Sequence, residues 1–238
     1  DLDSLKAILE ANKDDMAGII ITPVGHPNGA EVQMPKPGYL EAVRELANQY
    51  HCLLIFDEIR SGFRCSLGGA QKLFGVTPDL STFGKAMANG YAIAALVGKE
   101  EYMQVLADKV FLSSTFFPNS DGIVAAIKTI EILERDHILD VIAEKGRKFG
   151  AKVEKVVAES GVPVNFTGAP WMPYITFKKD ETGRYKQLRT EYYTQLIRRQ
   201  VFMQPYHHGY ICYRHTDEDL AYTVEAIRES IAEVKKML

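Results

Sequence analysis

Three short apolar runs constrain this chain most: Ala17-Gly18-Ile19-Ile20-Ile21-Thr22, Leu53-Leu54-Ile55-Phe56 and Leu80-Ser81-Thr82-Phe83. The first is β-branched and does not alternate, the pattern of a strand covered on both faces. What lies between the runs keeps a different period. Leu40, Val43, Leu46 and Ala47 fall on one helical face of residues 39–50, behind the Pro- and Gly-rich loop 23–38. A further apolar run, Tyr91 to Val97, ends in Gly98 and leads into a helix over Lys99 to Asp108. Strands that alternate with helices predict an α/β fold with a mainly parallel or mixed sheet and helices on both faces.

The rest of the chain is more helical. Residues 3–12 read as a short amphipathic helix behind Asp3, and Gly122 to Glu134 as one with Ile123, Ala126, Ile127, Ile130 and Leu133 inward. Ile138 to Ser160 holds the helical period through Gly146 and Gly150. Strands are expected near Val162–Phe166, Tyr174–Phe177 and Tyr210–Tyr213, with a basic helix over Tyr185–Gln200 between the last two. Thr216 with Asp219 forms the N-cap of a closing helix whose buried stripe is Leu220, Val224, Ile227, Ile231 and Val234. A boundary near residue 136 divides the chain into a larger portion, 1–135, and a C-terminal α+β domain, 136–238.

Charge narrows the function. The formal net charge of -3 is spread without a basic block or an acidic tail, which argues against nucleic acid and anionic membrane surfaces and favours small-molecule chemistry. No apolar run is long enough to span a bilayer, so no membrane role is expected. The three cysteines, Cys52, Cys65 and Cys212, show no paired metal-ligand spacing, so a metal site is not expected and a reducing cytoplasm fits. The absence of an initiator methionine points to processing or to a fragment.

Two charges stand at the exits of apolar runs, Asp57 after Phe56 and Lys85 after Phe83-Gly84. Strand exits are where α/β proteins place chemistry. Asp57-Glu58-Ile59 followed by Ser61-Gly62-Phe63-Arg64 resembles the Asp-Glu-Val signature and trailing Thr-Gly-Phe-Arg of class III, fold-type I pyridoxal-phosphate aminotransferases, glutamate-1-semialdehyde aminomutase among them. Ser81-Thr82-Phe83-Gly84-Lys85-Ala86-Met87-Ala88-Asn89-Gly90 resembles the same family's cofactor-lysine segment.

That resemblance implies the large pyridoxal-phosphate-binding domain of aspartate aminotransferase-like enzymes plus a small C-terminal domain. It implies pyridoxal 5'-phosphate held on Lys85 as a Schiff base, with Lys85 later moving the substrate's proton. Asp57 would pair with the protonated ring nitrogen, and Ile59 would pack against the ring. Ser113-Ser114-Thr115 with Pro118-Asn119 is similar to the family's Gly-Thr-x-x-Gly-Asn-Pro segment. Thr115 is the residue it assigns to the cofactor phosphate of a neighbouring subunit, in a homodimer with shared active sites. The family's other phosphate-binding segment and its ring-stacking aromatic lie upstream of this region, so the resemblance implies a missing N-terminal segment.

Some residues depart from the pattern. Thr22-Pro23 stands where many relatives have Glu-Pro, and the loop through His26 is unusual. Aligned on Gly209 and His215-Thr216, His207 replaces a glutamate of the aminomutases, which argues for another substrate. Side by side in an extended segment, His207 and His208 would point to opposite faces. Arg60, Arg64 and Arg214 carry guanidinium forks suited to oxyanions, and Arg64 alone matches the family. The expected activity is therefore amino transfer between an amino donor and a keto or aldehyde acceptor. An aminomutase and a non-catalytic scaffold half are the alternatives. A dinucleotide-binding domain lacks its Gly-x-Gly-x-x-Gly turn.

Overall fold

The computed structural model describes residues 1–25, 31–113, 115, 117 and 119–238. The backbone divides into two compact units, Asp1–Val24 with Pro35–Leu139, and Gly25–Met34 with Asp140–Leu238.

The first unit is built on a four-stranded sheet in the order β1 (Gly18–Ile21), β2 (Leu53–Asp57), β3 (Leu80–Phe83), β4 (Ala95–Gly98). β1, β2 and β3 run parallel, with Ile20 opposite Ile55 and Asp57 opposite Thr82. β4 runs antiparallel to β3, so the sheet is mixed with one reversed edge. α1 (Leu2–Ala11), capped by Asp1 rather than Asp3, and α2 (Tyr39–Gln49) bury Leu9, Leu40, Val43 and Leu46 with Ile19, Leu54 and Phe56 of the sheet. The opposite side of β1 is open in this chain, since Ile20 is 64% exposed, so the expected cover on both faces is not met among the described residues.

Asp79 ties this unit together just before β3. It is 3% exposed and accepts hydrogen bonds from Arg44 of α2 at 2.7 Å, the Leu54 amide of β2 at 2.8 Å and Lys99 at 2.6 Å. Burial pushes its carboxyl up, but the bonds from Lys99, Leu54 and Arg44 outweigh that, and the net shift is downward. Beyond β2 comes the short α3 (Gly69–Phe74), and beyond β4 the expected helix is interrupted at Gln104 into α4 (Glu100–Met103) and α5 (Val105–Asp108).

Two expectations change here. β4 starts only at Ala95, because Asn89 and Gly90 turn the chain through positive φ of 47° and 112° before it can extend. α6 (Ser120–Arg135) buries Gly122 and Ala126, while Ile123 and Ile127 are 43% and 63% exposed. The apolar stripe is present, but its buried members are small, with Ile130 packed against the same core. A Cβ on Gly122 would stand 2.8 Å from the Ala92 carbonyl.

The second unit packs α7 (Ile138–Ser160, from Asp140 on), α8 (Arg184–Arg198) and α9 (Asp217–Lys235) with the antiparallel hairpin of β5 (Val164–Ala169) and β6 (Met172–Phe177). Its core joins Phe149, Val153, Ile175, Tyr192, Leu196 and Ile227. Gly146 of α7 is explained by approach: a Cβ there would lie 1.9 Å from the Pro170 carbonyl at the hairpin turn. The capping box of α9 forms as expected, with Thr216 Oγ1 accepting from the Asp219 amide at 3.1 Å and Asp219 Oδ2 from the Thr216 amide at 2.8 Å. The strand expected at Tyr210–Tyr213 is absent from the sheet. Gly209 and Ile211 donate to Pro173 and Trp171 carbonyls, two strand-like bonds that stop short of a ladder.

Candidate active site

Because β2 and β3 are parallel neighbours, their exits lie at one edge of the sheet, and that edge carries Asp57 and Lys85. Asp57 is the last residue of β2. Its Oδ1 accepts from the Ile59 amide at 3.1 Å, and the Thr82 hydroxyl lies 3.5 Å away. The Glu58 amide donates to the Thr82 carbonyl at 3.0 Å and extends the ladder one step past the carboxylate.

After β3, Gly84 continues extended and Lys85 begins a single 3-10 turn, Lys85–Ala88, with its own φ at 47°. The turn packs on α6 through Met87, Ala88 and Ala126. Ile59 borders it, since its Cγ2 lies 3.8 Å from where a Cβ on Gly84 would be. Lys85 is exposed as a residue, yet its amine is held below the usual lysine range. Partial burial is the largest cause, the nearby Arg60 and Arg64 guanidiniums push the same way, and Asp57 opposes them.

The loop from Ile59 to Gly68 brings those arginines in. Its ends are gripped by Glu58, which the sequence reading passed over as the second letter of a motif. Glu58 is fully buried and accepts from the Ser61 hydroxyl at 2.9 Å and from the amides of Ala70 and Gln71 at 2.6 and 3.1 Å. The signal that could have found it is the acidic residue directly after a strand, with a hydroxyl three positions on and the Gly68-Gly69 pair beyond. Arg64 is half-buried and donates to the Arg60 carbonyl at 2.8 Å. Cys65, in the same loop, has its thiol pushed up to about 12 by burial and then by Glu58, so it stays protonated.

Thr115 is exposed; Ser114, Phe116 and Pro118 beside it lie outside the described residues. Asn119 caps α6, accepting from the Asp121 amide at 3.0 Å. His26 and the loop to Ala30 also lie outside the described residues. His207 belongs to the second unit. There the expectation of opposed rings fails, because the segment bends instead of extending. The His207 and His208 rings stack, with centroids 4.2 Å apart and 30° between planes. His207 Nδ1 donates to the His208 carbonyl at 2.7 Å, and His208 Nε2 lies 2.7 Å from the Tyr210 hydroxyl. Among the described residues no cluster of His, Cys, Asp or Glu could hold a metal ion.

An amine with depressed basicity, a carboxylate one strand away and an aliphatic side chain beside the lysine-bearing turn form a set suited to a carbonyl cofactor with a basic ring nitrogen. The model of the class III aminotransferase family matches residues 2–231, and the chain belongs to that family, whose members depend on pyridoxal phosphate. The 3-aminobutyryl-CoA aminotransferase of Cloacimonas acidaminovorans (strain Evry) is 95% identical over 238 residues, covering 100% of this chain and 58% of its own length. A glutamate-1-semialdehyde 2,1-aminomutase of Brevibacillus brevis is 33% identical over 99% of this chain and 57% of its own. Among solved structures, the PLP internal aldimine form of the FumI protein of Sphingopyxis sp. MTA144 aligns with a TM-score of 0.91 at 26% identity, over 99% of this chain and 56% of that one. The chain thus spans rather more than half the length of the curated relatives it matches.

Proposed function

We propose that this chain carries the lysine-bearing part of a pyridoxal-phosphate aminotransferase whose amino donor is a 3-amino acyl thioester of coenzyme A. The observation that carries the reaction type is the pairing of Asp57 with a Lys85 amine of lowered basicity at adjacent strand exits. The donor class rests on the 95% identical relative's name, and His207 in place of the aminomutases' glutamate agrees with it.

When bound, the cofactor supplies a cationic ring that accepts the electron pair left as a substrate C–H bond breaks. The chain's own residues do the rest. Lys85 Nζ, neutral for a larger share of the time than an ordinary lysine, would hold the cofactor through its carbonyl. Freed by the substrate's amine, Nζ would take the proton from the amine-bearing carbon and deliver it to the cofactor's aldehyde carbon, and in the opposite half-reaction would carry a proton back from that carbon to the carbon of the keto acid that receives the amino group. Asp57 would keep the ring nitrogen protonated, and Ile59 would pack on the ring. Arg64 is assigned to the keto acid's carboxylate and His207 to substrate contact. Thr115 is assigned to the cofactor phosphate of a second subunit, in a homodimer. A cytoplasmic setting suits three cysteines that are all free thiols.

The test uses the chain completed to the length of its 95% identical relative. Pyridoxal phosphate followed by borohydride should leave a pyridoxyl adduct on Lys85 by peptide mass spectrometry. Lys85→Ala should lose the adduct and lower amino transfer from 3-aminobutyryl-CoA to a 2-oxo acid by about 10²-fold or more. An adduct on another lysine, or transfer that survives in Lys85→Ala, would refute the assignment. Turnover of glutamate-1-semialdehyde without an acceptor would favour the isomerase instead.

A further inference from the structure

Glu58 sits between two residues of the proposed site, Asp57 and Ile59, yet points away from it into a fully enclosed position. Among the described residues, the three hydrogen bonds to its carboxylate come from neutral donors, one on Ser61 and two on the first turn of α3. The three bonds reach both oxygens, two on Oε2 and one on Oε1. Gly69 is shaped around it: its φ is 69°, and a Cβ there would stand 2.5 Å from Glu58 Oε1. One carboxylate therefore joins the two ends of the loop that contains Arg60 and Arg64. Within that loop, Ser61 is also an anchor through its carbonyl, which accepts from the Arg64 and Cys65 amides at 3.1 and 3.0 Å.

We propose that Glu58 is a positioning residue for Lys85: its buried carboxylate closes the loop between β2 and α3 and so holds Arg60 and Arg64 beside the lysine amine. Among the described residues the charged groups that act on that amine are Arg60, Arg64 and Asp57, and of these the two arginines ride on the clamped loop. Asp57 is fixed independently by the β2–β3 ladder. Loosening the clamp thus withdraws positive charge and leaves the negative partner, which returns the amine toward ordinary lysine behaviour. The inference rests on the reading of Lys85 as the cofactor-holding residue.

The experiment is site-resolved reductive methylation, with formaldehyde and cyanoborohydride, of the completed chain stripped of cofactor. Mass spectrometry gives the pH midpoint for Lys85. Glu58→Gln replaces one acceptor oxygen with a donor facing donors, and should raise that midpoint by about half a pH unit, with about threefold less labelling at neutral pH. Gly69→Ala, which presses on the carboxylate from the other side, should move the midpoint the same way and keeps the test open if the first variant does not fold. Arg60→Met should raise it too, and combined with Glu58→Gln should add less than the sum. Val43→Ala, in the core on the other side of β2, should lower the melting temperature and leave the midpoint unchanged. Unmoved midpoints in Glu58→Gln and Gly69→Ala, or an equal shift in Val43→Ala, would overturn the positioning role while the pyridoxyl adduct on Lys85 stands. An adduct elsewhere would overturn both readings.

Discussion

The two units bury their apolar residues differently. In the second, every residue of β6 is buried, α8 packs on β6 and α9 on α8, with Tyr192, Leu196 and Ile227 fully enclosed. In the first, the unit that holds Asp57 and Lys85, β1 leaves Ile20 64% exposed and α6 leaves Val124 65% and Ile127 63% exposed. An apolar period reports that a face is suited to cover. It does not report that the same stretch of chain supplies the cover.

Substitutions can press on that contrast, the strongest first. Leu196→Ala removes an enclosed side chain from the closed core and should cost about 3 kcal/mol, read as faster hydrogen exchange across α8, α9 and β6. A cost below about 1 kcal/mol would mean that the second unit is not closed as described. In the first unit the larger dependence should be on ions. Asp79→Asn leaves Arg44 and Lys99 without their anion and should cost about 2 kcal/mol. Because the folded-state pKa of Asp79 is depressed, its contribution is present above the unfolded carboxyl value and is lost as pH falls through the folded one. The variant should therefore lose less stability than the parent on acidification below about pH 4, measured by urea unfolding.

Smaller effects follow. Thr216→Ala breaks the capping box and should cost about 1 kcal/mol, with exchange rising in the first turn of α9. Val124→Ser on the open stripe of α6 should change the stability of this chain by no more than about 0.5 kcal/mol. Repeated in the chain completed to its relative's length, a clear cost would sharpen the comparison by showing the stripe covered there.

What was legible in the sequence follows the same physics. Ile138–Ser160 and Leu80–Phe83 were readable to their end residues, because a long helical period and a strand bounded by Pro78-Asp79 and Gly84 leave little choice. The capping box was legible because it is local. Asp57 and Lys85 could be singled out by strand-exit position and motif, and the structure brings them to one edge. Glu58 was not legible as a clamp, since its partners Ala70 and Gln71 are set by a fold and not by spacing. On α6 the inward placing of Ala126 and Ile130 was right and that of Ile123 and Ile127 was not, and Gly122 was passed over because it carries no hydrophobic signal although it permits the closest approach. His207 and His208 were misjudged by assuming extension where the chain bends.

The turn that carries Lys85 has an evolutionary consequence. At φ 47° its backbone lies in the left-handed region, which costs a residue with a Cβ roughly 1 kcal/mol and costs glycine almost nothing. Drift toward greater stability at this position therefore leads to glycine, and every such step discards the amine. On the proposed role of Lys85, selection would have to hold a lysine against the preference of its own backbone, as expected where chemistry and folding ask one position for different residues.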